Sequence, residues 1–149
     1  MNTTLPILYQ DEHLVVINKP INLPVHKSKG MANDAPYVTK YLGQQLDCSV
    51  YNVHRLDAKT SGILLLALSP EMATELTEQF ARREVSKVYH ALVKGNPGEG
   101  TFDSKVKKAK QGNKAAAETA YHTLRTVHTG LEHKGEADLA ISLVELKPT

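Results

Sequence analysis

The segment His54-Arg55-Leu56-Asp57-Ala58-Lys59-Thr60-Ser61-Gly62 runs straight into Ile63-Leu64-Leu65-Leu66-Ala67-Leu68, and this leaves the chain few ways to fold. The apolar run is too short to cross a bilayer, and turn residues bound it on both sides, so it reads as a strand buried on both faces. A titratable cluster at the entrance of such a strand needs an explanation, because an ionised carboxylate is costly to bury unless something pairs with it. Two readings stay open. Arg55 and Asp57, sharing a face at the strand end, form a structural ion pair; or Asp57 is held in a turn as a nucleophile or acid–base group, with Thr60-Ser61-Gly62 closing the loop. In that turn, glycine permits close backbone approach.

The remaining elements are read around that strand. Ile7–Tyr9 and His13–Asn18, joined by Gln10-Asp11-Glu12, form a hairpin that Lys19-Pro20 ends. Residues 20–34 are loop-like, and Val38, Leu42 and Leu46 place a helix over 36–46, weakened by Gly43. Tyr51–Leu56 is a short strand. Ser69-Pro70-Glu71 starts a helix carrying the apolar stripe Met72, Leu76, Phe80, and Arg82-Arg83 suit its end. Lys87–Lys94 is a strand. Residues 101–114 are a polar stretch with Lys105, Lys107, Lys108, Lys110 and Lys114, read as a solvated loop or as phosphate contacts. Residues 117–127 and 138–147 are strands joined by a His128–Gly135 loop. Direct strand-to-strand connections and two helices predict an α+β fold with a mixed, largely antiparallel sheet and a few flanking helices. The 149 residues amount to one domain with a real core, without repeat or linker.

Several function classes are excluded by what the sequence contains. Zinc-spaced Cys/His clusters, a Walker loop, a dinucleotide glycine fingerprint and a Gly-x-Ser-x-Gly elbow are all missing. His122, His128 and His133 are read as strand and loop surface rather than metal ligands. Cys48 stands alone, so there is no internal disulfide framework, and the N-terminus lacks the pattern of a signal peptide. These features predict a cytoplasmic protein without a membrane partner. The net charge of +2 says little about partners by itself.

Two further groups carry candidate chemistry. Tyr89 shares a strand face with Lys87 and Ala91; it is a half-buried strand tyrosine, or an aromatic platform or proton acceptor for a base. Asn18-Lys19-Pro20 with His26 is a strand end followed by a surface loop, or part of a binding site.

These blocks together resemble the RluA-type RNA pseudouridine synthases. The central motif of that family, His-Arg-Leu-Asp-x-x-Thr-Ser-Gly followed by aliphatics, stands at His54–Gly62. Its early Asn-Lys-Pro with a downstream histidine is matched by Asn18-Lys19-Pro20 and His26, and its Lys-x-Tyr-x-Ala strand by Lys87, Tyr89 and Ala91. The resemblance runs from about Ile7 to Lys147, and the stretch after His26 looks most like the branch that includes tRNA pseudouridine synthase C. It implies isomerisation of uridine to pseudouridine in structured RNA, tRNA or rRNA, without cofactor or metal. Asp57 is then the catalytic aspartate, attacking the ribose anomeric carbon or the base, or assisting an elimination. Tyr89 packs on the target base and moves a proton. His54, Arg55, Thr60, Ser61, Lys87, Asn18, Lys19 and His26 bind substrate, with Arg55 holding the flipped-out nucleotide.

The resemblance also carries a departure. Family members continue past a strand like Leu143–Leu146 into a Thr-Gly-Arg-x-His-Gln-Ile-Arg motif, whereas here Lys147-Pro148-Thr149 follows. The basic residue of that motif normally pairs with the catalytic aspartate. Four expectations result: a catalytic domain incomplete at its C-terminus, an unpaired Asp57, little or no turnover by this chain alone, and an exposed, self-associating sheet edge near 138–147. The competing reading is a non-catalytic RNA-binding fragment.

Overall fold

The structure, a computed structural model, describes residues 4–107, 114–132, 135 and 138–149. These form β1 (Ile7–Gln10), β2 (Leu14–Lys19), α1 (Val38–Leu46), β3 (Tyr51–Asn52), β4 (Gly62–Ala67), α2 (Pro70–Ala81), β5 (Tyr89–Lys94), β6 (Glu99–Lys107), β7 (Lys114–His128) and β8 (Ala140–Pro148). The α+β class and the antiparallel pairing hold, but the strands divide into two four-stranded sheets rather than one. The chain separates into two units, Met1–Glu84 and Val85–Thr149. No helix among the described residues is long and apolar enough to cross a membrane.

The first unit is built on a sheet ordered β1-β2-β4-β3. Val15 lies opposite Leu66 and Ile17 opposite Leu64, and all four are fully buried. Each such aliphatic side chain contributes about 1.5–3 kcal/mol when fully removed from water. On the other face of β4, Ala67 joins Val53 and Leu76 in a cluster that Leu65, Met72, Ala73 and Phe80 extend, so α2 covers that side. Burial on both faces therefore holds from Leu64 to Ala67 but not at Ile63. This residue sits outside the cluster, at the Asp57 end of the strand, and is 68% exposed.

The helix starts follow from which groups take the first-turn N–H donors. Ser69 is extended and its Oγ accepts from Met72 N at 3.2 Å, ahead of Pro70 and Glu71. In α1 no side chain caps the start. Instead Val38 N donates to the Pro24 carbonyl at 2.9 Å and Thr39 N to the Val25 carbonyl at 3.1 Å, so the helix begins at Val38 rather than at residue 36. Gly43, which weakened the helix on propensity, has a packing reason: a Cβ there would stand 3.1 Å from the Cys48 carbonyl oxygen.

The β1–β2 turn is closed by Asp11. Its Oδ1 accepts from His13 N and Leu14 N, each at 2.8 Å, and its Oδ2 from the Tyr9 hydroxyl at 2.8 Å. These donors, led by the two backbone N–H groups, hold the carboxyl below its ordinary 3.8. A depressed folded value means that the stabilisation is present above the ordinary value and is lost as pH falls through the folded one. The stability advantage of the wild type over Asp11→Ala, measured by denaturant unfolding, is therefore expected to be full at neutral pH and to shrink steadily below about pH 4.

The second unit holds a sheet ordered β5-β8-β7-β6. Two expectations are corrected here. The strand expected as an exposed edge, β8, is interior: it pairs with β5 from Tyr89↔Leu146 to Lys94↔Ile141 and with β7 from Thr119↔Pro148 to His128↔Ala140. In addition, residues read as a lysine-rich loop belong to β6, which pairs with β7 along its length. Lys108 and Lys110, like His133, lie outside the described residues. At the centre of this sheet Ser142 is fully buried; its Oγ donates to the Gly95 carbonyl at 2.6 Å and lies 2.8 Å from Thr126 Oγ1.

Candidate active site

Every candidate residue before Glu84 belongs to the first unit, while Lys87 and Tyr89 belong to the second. Asp57 stands on the turn that leads into β4. Thr60 N donates to the Asp57 carbonyl at 2.9 Å and closes that turn. Thr60 is half-buried and Ser61 exposed. Gly62 then opens β4 at φ +125°, a conformation that side-chain-bearing residues rarely adopt. A Cβ there would meet nothing within 4 Å, so backbone conformation rather than close approach is the reason for glycine.

Asp57 is neither buried nor unpaired. Its side chain is 74% exposed, and Oδ1 accepts from Arg55 Nη2 at 3.0 Å, with Arg55 76% exposed. The expectation of an unpaired carboxylate is thus corrected, because its partner lies two residues away within the motif itself. A surface pair of this kind contributes about 0–1 kcal/mol. Arg55 can therefore leave Asp57 for another anion at little cost in stability.

Lys19 is the least expected member. Its side chain is fully buried, and its ammonium donates to the carbonyls of Pro20 at 2.9 Å, Leu23 at 2.9 Å and Ala58 at 3.2 Å. It therefore ties the loop after β2 to the turn carrying Asp57, joining two motifs that are 39 residues apart. Burial pushes the Lys19 ammonium below its ordinary value, and the Asp57 carboxylate acts in the opposite direction. Neighbouring Asn18 is exposed and donates its N–H to the Pro6 carbonyl at 2.9 Å. His26 is exposed, one residue beyond buried Val25.

His54 faces inward. Its Nε2 accepts from Leu65 N at 3.0 Å, and its ring stacks on Phe80 with centroids 4.6 Å apart and planes at 19°. The sequence marked Phe80 only as one residue of a core stripe; its contact with His54 had no local signal. In the second unit, β5 starts at Tyr89, so Lys87 precedes the strand instead of lying on it. Tyr89 is half-buried, on the strand face it shares with Ala91 and Val93, and lies opposite Leu146. His122 is paired with Glu99 at 3.4 Å and His128 with Asp138 at 2.9 Å. Among the described residues no three His, Cys, Asp or Glu side chains gather as a metal set.

The family model described as RNA pseudouridylate synthase matches residues 13–149. A tRNA pseudouridine synthase C from Yersinia pestis is 37% identical over 97% of this chain and 60% of its own length. The protein of that name from Vibrio cholerae is 37% identical over 97% of this chain and 64% of its own. Among solved structures, Human RNA Pseudouridylate Synthase Domain Containing 4 superposes with a TM-score of 0.67 at 31% identity, covering 96% of this chain and 58% of that one. The chain thus spans about 60% of the length of such relatives.

Proposed function

The chain belongs to the RNA pseudouridylate synthase family, and from that premise we propose that its protein isomerises uridine to pseudouridine in structured RNA, with tRNA as the substrate class that the relatives' names favour. The observation that carries the reading is Asp57: an exposed carboxylate on a turn fixed by a buried lysine, in the middle of the matched region. A binding surface for anionic RNA has no physical use for that charge, whereas a nucleophile or base needs to be exposed and rigidly mounted. The cytoplasm is the compartment this reading implies.

In the reaction the bond between N1 of the base and the anomeric carbon breaks, the base turns, and a bond from C5 replaces it. The C5 proton leaves to solvent and N1 gains one. Asp57 acts on the anomeric carbon, on the base, or as the base in an elimination at the sugar. Tyr89 packs on the uracil and takes part in the proton movement. A stacked uridine must leave the helix to be reached. Arg55 exchanges Asp57 for a phosphate of the extruded nucleotide, a charge-assisted contact of the kind guanidinium groups favour. Substitution Arg55→Ala is expected to raise the Kd for RNA roughly tenfold and leave stability within about 0.5 kcal/mol, because only a surface pair is lost. Filter binding and denaturant unfolding check the two halves.

Low turnover by residues 1–149 alone is part of the proposal. Its test incubates unmodified tRNA and rRNA with this chain and with one extended to the relatives' length, then maps pseudouridine by carbodiimide labelling and reverse transcription. A stop at one tRNA uridine is expected with the extended chain. No stop in either RNA would remove the proposal, and a stop in rRNA alone would replace the substrate class.

A further inference from the structure

The sheet explains why His54 is where it is. Tyr51 lies opposite Ala67 and Asn52 opposite Leu66, so continued pairing would bring residue 53 opposite Leu65 and extend the ladder. Instead β3 ends at Asn52, and the chain turns off to form the Asp57 loop. The Leu65 N–H then faces the side of β4 that β3 has left. His54 supplies the missing acceptor from its side chain, Nε2 taking the Leu65 N–H at 3.0 Å. A buried backbone donor without a partner is costly, so this substitution lets the strand end early without an orphaned N–H. The ring cannot slide away, because Phe80 of α2 stacks against it at 4.6 Å.

We propose that His54 is a positioning residue: it stands in for the absent strand carbonyl at Leu65 and so pins the base of the loop that carries Asp57. The proposal rests on Asp57 being the catalytic group. The loop from Arg55 to Ser61 is then held at three places: at its start by His54 on β4 and α2, at Ala58 by Lys19, and at its end by Gly62 in β4. His54 therefore acts through Asp57 and has no need to touch RNA. To accept from a backbone N–H, Nε2 must carry no proton, which fixes a neutral ring with its hydrogen on Nδ1.

The test uses two substitutions that separate acceptor from ring. His54→Phe keeps the stack and removes the acceptor; His54→Gln keeps an acceptor near Nε2 and removes the ring. Native-state hydrogen exchange is read at the Leu65 amide, at the Thr60 amide that closes the Asp57 turn, and at the Val38 and Asn18 amides as controls. In His54→Phe, exchange at Leu65 and Thr60 should rise about tenfold or more relative to the controls, and His54→Gln should restore much of it. Unchanged exchange at Thr60, or an equal rise at all four amides, overturns the proposal. So does a wild-type imidazole whose ¹⁵N signals place the proton on Nε2. If His54→Phe does not fold, the wild-type imidazole spectrum and His54→Gln decide. A proton on Nδ1 with Thr60 protected in the glutamine variant supports the proposal, and the lack of either overturns it. None of these readouts needs turnover, so failure of the isomerase reading and failure of the His54 reading are told apart.

Discussion

Asp57→Asn is expected to lower uridine turnover by about 10⁴-fold or more, the scale on which removal of an essential nucleophile acts, and to leave the fold nearly as stable as before. The second half makes the first informative. Asp57 is 74% exposed and its carboxylate accepts from equally exposed Arg55, so replacing the carboxylate by an amide should change unfolding free energy by no more than about 0.5 kcal/mol. A structural strand-end ion pair this exposed would also leave stability nearly unchanged, but it predicts turnover that survives the substitution. Turnover is measured in the chain extended to the relatives' length, and stability by urea unfolding of both chains.

Lys19→Met should do the opposite, destabilising the protein by about 2–4 kcal/mol through the loss of a fully buried ammonium that serves three carbonyls. Methionine fills much of the volume but donates to none of the Pro20, Leu23 and Ala58 oxygens. The pH dependence has a definite sign. Burial sets the folded value of Lys19 below its unfolded value of 10.5, so between the two the unfolded chain binds more protons and stability rises with pH. The advantage of the wild type over Lys19→Met should therefore grow as pH is raised toward 10.5 and stay at its smallest below the folded value. Denaturant unfolding of both proteins at neutral pH and at the highest pH the fold tolerates measures this. Activity should fall as well, because the lysine tie to Ala58 holds the Asp57 turn.

What the sequence made legible is local in origin. The apolar run after Gly62, the cap Ser69-Pro70-Glu71 and the i, i+4 spacing of Val38 and Leu42 each carry their cause within a few residues, and each became the expected element. The Asp57 motif was legible for the same reason, since its turn and its Arg55 partner lie inside nine residues. What could not be read depends on residues far apart. Nothing near Lys19 announces that its ammonium will be spent on the Ala58 carbonyl, or near His54 that a strand partner will be missing at Leu65. The order of the second sheet is of the same kind. The pattern of 138–147 says strand, but which strands flank it is decided by tertiary pairing, and β8 became an inner strand instead of an edge. The two-sheet division was hidden likewise, because alternation along a strand does not say which sheet the strand joins.

The most direct measurement is tritium release from carbon 5 of labelled uridine in bulk tRNA, comparing the chain extended to its relatives' length with its Asp57→Asn variant, and residues 1–149 alongside. The account predicts release by the extended wild type, none above background from the variant, and little from residues 1–149. Release that persists in Asp57→Asn, or none from a folded, RNA-binding extended chain, would contradict it.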